Sequence, residues 1–319
     1  MKEFTAEIKR RALMLGFSAC GVARAERLDD EAGRLDRWLD EGRHGEMNYM
    51  ERRRYLRVDP SALAEGAKSV IVVACNYYSD KRQAADAPVV SKYAYGNDYH
   101  QVIKAKLNRL LAFIRGERSE AGGRAFVDSA PVLEKAWAQR SGIGRLGKNG
   151  NVIIDGQGSF HFLAELIVTI ELEYDAPAAS NCGACTRCMS ACPTGAITEP
   201  YVVDARKCLA YLTVEYRGEL PEELRRSFAG RMFGCDICQD VCPHNIRFAR
   251  ANREPEFAPS PELLNKTKDE WNALDEEEFD RMFAKSAVMR AGYDGLKRTL
   301  RFLSGEEGGD SERKTILNK

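Results

Sequence analysis

Eight cysteines lie close together between residues 182 and 242, and they constrain this chain more than any other feature. The first run reads C-x2-C-x2-C-x3-C-P from Cys182, and the second reads C-x2-C-x3-C-P from Cys235. Cys208 stands alone between the two runs. This spacing is typical of bacterial ferredoxins with two 4Fe–4S clusters, in which the cysteine before the proline binds the other cluster.

The same pattern predicts which cysteines share a cluster. Two cubes with four thiolates each account for all eight. One predicted set is Cys182, Cys185, Cys188 and Cys242, and the other is Cys192, Cys208, Cys235 and Cys238. Paired zinc ribbons are the alternative, although C-x2-C zinc sites do not require the longer run. Cys20 and Cys75 lie apart in apolar segments, where cysteine usually packs as a small hydrophobic residue.

The composition excludes several classes of protein. Of the 319 residues, 44% are hydrophobic, which is enough for a packed core. The 48 basic and 48 acidic residues balance, which argues against a protein that coats nucleic acid non-specifically. No run of 18 apolar residues, apolar signal core or twin-arginine leader is present. We therefore expect a cytoplasmic protein with no membrane partner, in a reducing compartment that favours metal clusters over disulfides.

Alternating apolar segments predict a layered α/β (α+β) fold. Ser69–Asn76 is β-branched and apolar and predicts a buried strand, while residues 98–115 predict a helix capped by Asp98. Residues 151–154 and 162–170 predict two strands, and the glycines between them favour a hairpin. The expected organisation is a ligand-binding domain over 1–175, a cysteine-rich domain over 176–255 and a helical segment over 256–319.

The first domain is far larger than a bare electron carrier needs, so an electron acceptor is expected there. Residues 142–147 fit G-x-G-x-x-G, but they follow a predicted helix rather than a strand, which disfavours a dinucleotide site. The glycines instead favour a loop that closes over a bulky ligand, with Lys148 and Asn149 as polar contacts.

Three motifs, in this order, resemble those of the epoxyqueuosine reductases: VDSAPVLEKAWA from Val127, GIGRLGKN from Gly142, and FGCDICQDVCP from Phe233 within the cysteine module. The resemblance covers roughly residues 1–255. It implies a nitroreductase-like cobalamin domain and a ferredoxin-like domain with two 4Fe–4S clusters. Residues 256–319 leave room only for short C-terminal helices. The resemblance also implies an enzyme that reduces epoxyqueuosine to queuosine at the wobble position of tRNA, with an external reductant of flavodoxin or ferredoxin type.

The resemblance further implies residue roles. Asp128 would protonate the epoxide oxygen, with its pKa raised by burial; the alternative role is a helix N-cap. Asp98 starts a D-x-H-x-x-G pattern in which His100 is the histidine and Ile103 replaces the glycine, so we expect base-off cobalamin without a protein histidine ligand. The expected cobalamin contacts are Arg57, Tyr95, Asp128, Ser129, Lys148, Asn149, Ser159 and His161.

Arginines surround the second cysteine run. Residues 225–253 carry an excess of four positive charges in a chain that is neutral overall. A tRNA backbone would be attracted to such a patch, and the expected contacts are Arg225, Arg226, Arg231, Arg247 and Arg250. The alternative is an ordinary solvated surface.

Two other functions remain open from sequence alone. One is a cytoplasmic cobalamin enzyme of the reductive dehalogenase type, although those usually carry the twin-arginine leader that is missing here. The other is a non-enzymatic electron-transfer protein that binds no corrin.

Overall fold

The computed structural model describes residues 1–179 and 182–305. Its strands are β1 (Ala19–Arg24), β2 (Ser69–Asn76), β3 (Val89–Val90), β4 (Gly123–Phe126), β5 (Arg145–Leu146), β6 (Val152–Ile153), β7 (His161–Val168), β8 (Ile197–Glu199), β9 (Val202–Val203) and β10 (Arg231–Phe233). Its α-helices are α1 (Lys2–Met14), α2 (Asp29–Asp40), α3 (Arg54–Val58), α4 (Pro60–Leu63), α5 (Tyr99–Glu117), α6 (Glu134–Arg140), α7 (Arg187–Ala191), α8 (Leu209–Val214), α9 (Arg225–Phe228), α10 (Ile237–Asp240), α11 (Pro243–Phe248), α12 (Pro261–Asn265), α13 (Lys268–Ala273), α14 (Glu276–Phe283) and α15 (Gly292–Ser304).

A four-stranded sheet in the order β1-β2-β7-β4 forms the centre of the first domain, and all three pairings are antiparallel. Strand residues point alternately to the two faces. On one face, α1 and α5 pack over Ile71, Val73 and other apolar side chains. On the other face, α2 and α6 pack over Val70 and Val72. The predicted α+β layering is therefore confirmed.

Local predictions agree with the structure better than the predicted pairing does. The strand predicted over Ser69–Asn76 is confirmed, and Asp98 caps α5 because its side chain accepts from the backbone N–H of His100. The predicted hairpin is wrong: β6 pairs with β5, whereas β7 lies between β2 and β4. The buried strand β2 pairs with β7 along its whole length and β4 adds four more residues, whereas β6 offers only two.

The cysteine-rich and C-terminal segments pack onto the first domain. β10 runs parallel to β3, joining the cysteine-rich segment to residues 89–90. One apolar cluster combines Val90, Phe233, Trp271 and Leu296, so it draws on all three predicted segments. None of the helices in the described ranges is both long enough and apolar enough to cross a membrane.

Candidate active site

A cleft of about 1220 Å³ opens between the first domain and the C-terminal segment. Its walls come from five parts of the chain: residues 49–57, Tyr93 with the start of α5, residues 128–136, residues 214–215 of the cysteine-rich segment, and a stretch that includes the 3-10 turn Ala287–Arg290. Arg290 is held at this edge by a two-point ion pair with Glu215, at 3.0 and 2.8 Å. The volume exceeds the roughly 300–1,000 Å³ of common small-molecule sites, so the cleft suits a large ligand.

Asp128 lies on the loop that follows β4 and faces the cleft. Its Oδ2 accepts a hydrogen bond from the Tyr99 hydroxyl at 2.5 Å and lies 3.1 Å from Nε2 of His100. Its backbone has a φ of 46°, in the left-handed region that few residues other than glycine, Asn and Asp adopt readily. The backbone N–H of Asp128 donates to Oε1 of Glu134 at 2.6 Å. The Asp128 side chain therefore contacts a phenol and an imidazole at the cleft wall, while Glu134 holds its backbone.

His100 bridges two carboxylates. Its Nδ1 is 2.6 Å from Oδ1 of Asp98, and its Nε2 faces Asp128. Partial burial acts to lower the pKa of His100, but the hydrogen bonds to Asp128 and Asp98 outweigh it and raise the pKa to about 9. The imidazole is therefore a cation at neutral pH, and both ring nitrogens are engaged by protein.

The expected rise in the pKa of Asp128 is not what the structure gives. Burial acts to raise the pKa of Asp128, yet the hydrogen bonds from His100 and Tyr99 hold it below its ordinary value. Tyr99 itself stays protonated, because burial and then the charge of Asp128 raise its pKa. The proton of this site is thus stored on His100 rather than on Asp128.

The N-cap alternative for Asp128 also disagrees with the structure. Helix α6 starts at Glu134, its N-cap is Leu133, and no side chain caps it. Asp128 lies several residues upstream, so its carboxylate is free to face the cleft.

One predicted set of cysteines lines a small cavity. Cys182, Cys185, Cys188 and Cys242 share it with Lys148, whose Nζ donates to the carbonyls of Gly183 and Cys185 at 2.8 and 3.0 Å. The cavity is near the protein surface, since Cys185 is exposed.

The other predicted set is more deeply placed. Burial raises the pKa of the Cys208, Cys235 and Cys238 thiols. The charge of another member of the set raises each pKa further, and for Cys208 that member is Cys192. The backbone N–H of Ala196 donates to Sγ of Cys192 at 3.3 Å.

Two further observations concern what these cysteines can hold. Within the described residues, no three His, Cys, Asp or Glu side chains stand close enough to hold a single metal ion. Lys135 lines the cleft; burial lowers its pKa, and the charges of Glu134 and Cys238 act against that shift, so the second set lies near the cleft wall.

The expected cobalamin contacts divide into two groups. Arg57, Asp128 and Ser129 line the cleft. The others lie elsewhere among the described residues: Tyr95 in an apolar cluster, Lys148 and Asn149 at the first cysteine cavity, Ser159 bonded to Gln239 and Asn245, and His161 at Gln157. Burial lowers the pKa of His161 to about 4, so it is neutral. These five side chains are engaged in packing or in bonds between segments.

The predicted arginine patch is separate from the cleft lining. Arg226, Arg247 and Arg250 are exposed, while Arg225 pairs with Glu222 and Arg231 donates to the carbonyl of Ala229 at 2.6 Å. Sequence reasoning instead missed cleft residues, namely Tyr49, Arg52, Arg53 and Arg290. The basic run at 52–54 was the available signal, whereas Arg290 has none in the sequence because only folding brings it to the cleft.

Two family models match the chain. Residues 57–129 match the model described as "Epoxyqueuosine reductase QueG, DUF1730", and residues 181–245 match "4Fe-4S double cluster binding domain". Among curated relatives, the epoxyqueuosine reductase of Cellulophaga algicola is 51% identical over 93% of this chain and 96% of the relative.

Solved structures give the same likeness. A crystal structure of epoxyqueuosine reductase with an epoxyqueuosine-modified tRNA-Tyr stem loop is 30% identical, with a TM-score of 0.86 over 94% of this chain and 80% of that chain. The Bacillus subtilis epoxyqueuosine reductase, solved with its catalytic aspartate loop swung out of the active site, is 29% identical, with a TM-score of 0.84 over 94% and 81%.

Proposed function

This chain belongs to the epoxyqueuosine reductase family, and on that premise we propose how its residues carry out the reaction. The protein reduces epoxyqueuosine to queuosine at the wobble position of tRNA. Loss of the epoxide oxygen as water consumes two electrons and two protons and leaves a carbon–carbon double bond. The residues of the cleft and of the cysteine module divide these tasks.

Cobalamin is the proposed cofactor of the cleft. The residues fit it in three respects: the cleft is large, the buried Nε of Arg57 lacks a hydrogen-bond partner among the described residues, and both nitrogens of His100 are already engaged. Arg57 and Ser129 would hold the corrin side chains, and the last point supports base-off binding without a protein histidine. When bound, cobalamin supplies low-potential reducing chemistry centred on cobalt.

Two 4Fe–4S clusters bind the cysteine module, and we assign them to the two predicted sets of cysteines. The clusters supply single-electron transfer. The exposure of Cys185 favours the first set as the entry point for an external flavodoxin or ferredoxin. The second set lies towards Lys135, and thus towards the cleft, which favours it as the exit point.

Asp128 is the proposed proton donor to the epoxide oxygen. It is ionised at rest, so it must receive a proton before it can give one. His100, cationic at neutral pH, is 3.1 Å away and supplies that proton, while Asp98 holds the imidazole from its other side. Tyr99 fixes the carboxylate by donating to the same oxygen. General acid catalysis of this kind typically contributes about 10²–10⁴-fold.

The tRNA contacts are proposed on two surfaces. The cleft mouth carries Arg52, Arg53 and Arg290, and the exposed part of the predicted patch carries Arg226 and Arg250. Arginines on both surfaces suit phosphates, which Arg binds through paired N–H donors. A tRNA substrate also favours the cytoplasm as the place of action.

A single observation carries the proposal: Asp128, held by Tyr99 and His100, faces a large cleft that adjoins the double-cluster module. The test is anaerobic. Protein with reconstituted clusters is incubated with cobalamin, a strong reductant and epoxyqueuosine-containing tRNA, and the nucleosides are analysed by mass spectrometry. Queuosine should appear only with cobalamin present. Full cluster content and bound cobalamin without any queuosine would refute the function.

A further inference from the structure

A glutamate is buried in the middle of the central sheet, behind the Asp128 loop. Glu165 lies on β7 between Val72 of β2 and Phe126 of β4. It is 0% exposed, and neither carboxyl oxygen has a hydrogen-bond partner in the described part of the chain. An unpaired buried carboxylate is costly, so a glutamate at this position needs an explanation beyond packing.

The side chain of Glu165 points towards α6. Its strand neighbours of the same parity, Leu163 and Ile167, pack in the cluster that contains Trp137 and Ala138 of that helix. Helix α6 begins with Glu134, the residue that accepts from the backbone N–H of Asp128. The buried carboxyl therefore stands behind the same helix start that holds the catalytic loop.

The charges in this region point to a shared proton. Burial raises the pKa of Glu165 well above its ordinary value, and the charges of Glu134 and Asp128 raise it further. Burial and the charge of Asp128 raise the pKa of Glu134 to about 8. The positive charges of Lys135 of α6 and His100 of α5 act to lower the pKa of Glu134, but they do not outweigh this rise. At neutral pH both carboxyls are therefore neutral, and each carries a proton that it can share with the other in a hydrogen bond.

The Asp128 loop needs an external support. Its left-handed φ of 46° is a backbone conformation that costs energy for a residue with a side chain. The bond from the Asp128 N–H to Glu134 is the contact that ties this strained residue to α6. Loss of order at Glu134 would release the loop.

We propose that Glu165 is a positioning residue: it shares a proton with Glu134 through one buried water, and so keeps Glu134 in place to hold the Asp128 loop over the cleft. The expected effect on turnover rests on the proposed role of Asp128 as proton donor. The expected effect on the order of the Asp128 loop does not depend on that role.

The test compares three variants in the full-length, cluster-loaded protein. Glu165→Leu removes the carboxyl, Glu165→Gln keeps a hydrogen-bonding group of similar shape, and Ile167→Val is the control on the same face of the same strand. Hydrogen–deuterium exchange of the peptide spanning 126–133 reports on the loop, and kcat reports on catalysis.

For Glu165→Leu we expect exchange in that peptide at least about 10-fold faster and kcat lower by about 10–100-fold, since small misplacements of catalytic groups have effects of that size. Glu165→Gln and Ile167→Val should remain close to wild type in both exchange and kcat.

Wild-type exchange in Glu165→Leu would overturn the inference whatever happens to kcat. Faster exchange with unchanged kcat would support the role of Glu165 in ordering the Asp128 loop and would count against Asp128 as proton donor. If Glu165→Leu does not fold, Glu134→Ala tests the same connection, because Asp128 then loses its acceptor and the peptide should exchange faster. Unchanged exchange in Glu134→Ala would also overturn the inference.

Discussion

At the scale of single residues, the site depends on one carboxylate whose neighbours hold it ionised. Asp128 accepts from Tyr99 and faces the cationic His100, so the resting site contains an ion pair rather than a neutral acid. A carboxylate in this state needs a nearby proton source, and His100 is within hydrogen-bond reach. In the proposed mechanism, His100 therefore stores the proton that Asp128 delivers.

Asp128→Asn should reduce turnover by about 10²–10⁴-fold, the usual contribution of a general acid. Asn tolerates the left-handed backbone of this position, so the loop should keep its conformation. Single-turnover rates measure the effect, with iron content and cobalamin binding as controls that should match wild type. Turnover within a few-fold of wild type would remove Asp128 from the mechanism.

The pH dependence should reflect His100. Its pKa is raised to about 9, so the imidazole is cationic below that pH and loses its proton as the pH rises through it. Turnover should then fall on the alkaline side near pH 9, as a property of the coupled His100–Asp128 pair.

Asp98→Asn provides the matched variant for that profile. Asn caps helices about as well as Asp, so α5 should start at the same residue, but His100 loses one of its two carboxylates. The alkaline limit should therefore move to lower pH. An alkaline limit that does not move would exclude His100 as the group that titrates.

At the scale of elements, the start of α5 is set by a close contact with the C-terminal segment. The backbone N–H of Asn97 donates to the carbonyl of Glu256 at 2.6 Å, directly before the helix that carries Tyr99 and His100. Gly96 permits this approach, because a Cβ there would lie 2.4 Å from both Glu256 O and Phe257 Cα. The segment after residue 255 thus helps to position Tyr99 and His100.

Gly96→Ala should lower the free energy of unfolding by about 1–3 kcal/mol, as overpacking does, because backbone must move to admit the methyl group. Thermal unfolding of the cluster-loaded protein measures it. The control is Gly33→Ala inside α2, where no atom lies within 4 Å of the added Cβ and alanine favours the helix by up to about 1 kcal/mol. Equal melting temperatures in the two variants would contradict the close-contact argument.

At the scale of the whole molecule, the two cysteine sets tie the chain together. Each predicted set combines cysteines from both ends of the module. Two cysteines of the second set, Cys208 and Cys238, also lie close enough to Lys135 of the first domain for their charges to act on its pKa. Cluster assembly is therefore expected to depend on the folded module as a unit rather than on either run alone.

Cys208→Ala should leave one cluster and lose the other, so iron should fall from about eight to about four per chain. Anaerobic reconstitution followed by iron analysis measures it. Cys75→Ala is the control, because Cys75 is buried in the apolar cluster around the central sheet and should leave iron unchanged. Full iron in Cys208→Ala would show that the ligand assignment is wrong.

The two proposed tRNA surfaces can be separated by salt dependence. Arg226→Gln, Arg250→Gln and Arg53→Gln should each flatten the log–log dependence of affinity on salt by about 0.7–0.9 if the arginine meets a phosphate. An unchanged slope for the first two, with a reduced slope for Arg53→Gln, would locate the backbone contact at the cleft mouth alone.

The sequence by itself determined what depends on neighbours along the chain. The cysteine spacing indicated two clusters because their ligands lie a few residues apart, and the strand at Ser69–Asn76 and the Asp98 cap follow from local sterics and hydrogen bonding. Only the tertiary structure decided that β7 lies between β2 and β4, and that residues 49–57, 128–136 and 287–290 meet in one cleft. The state of Asp128 belongs to this second group, because long-range packing brings His100 and Tyr99 to its carboxylate and sets where the proton resides.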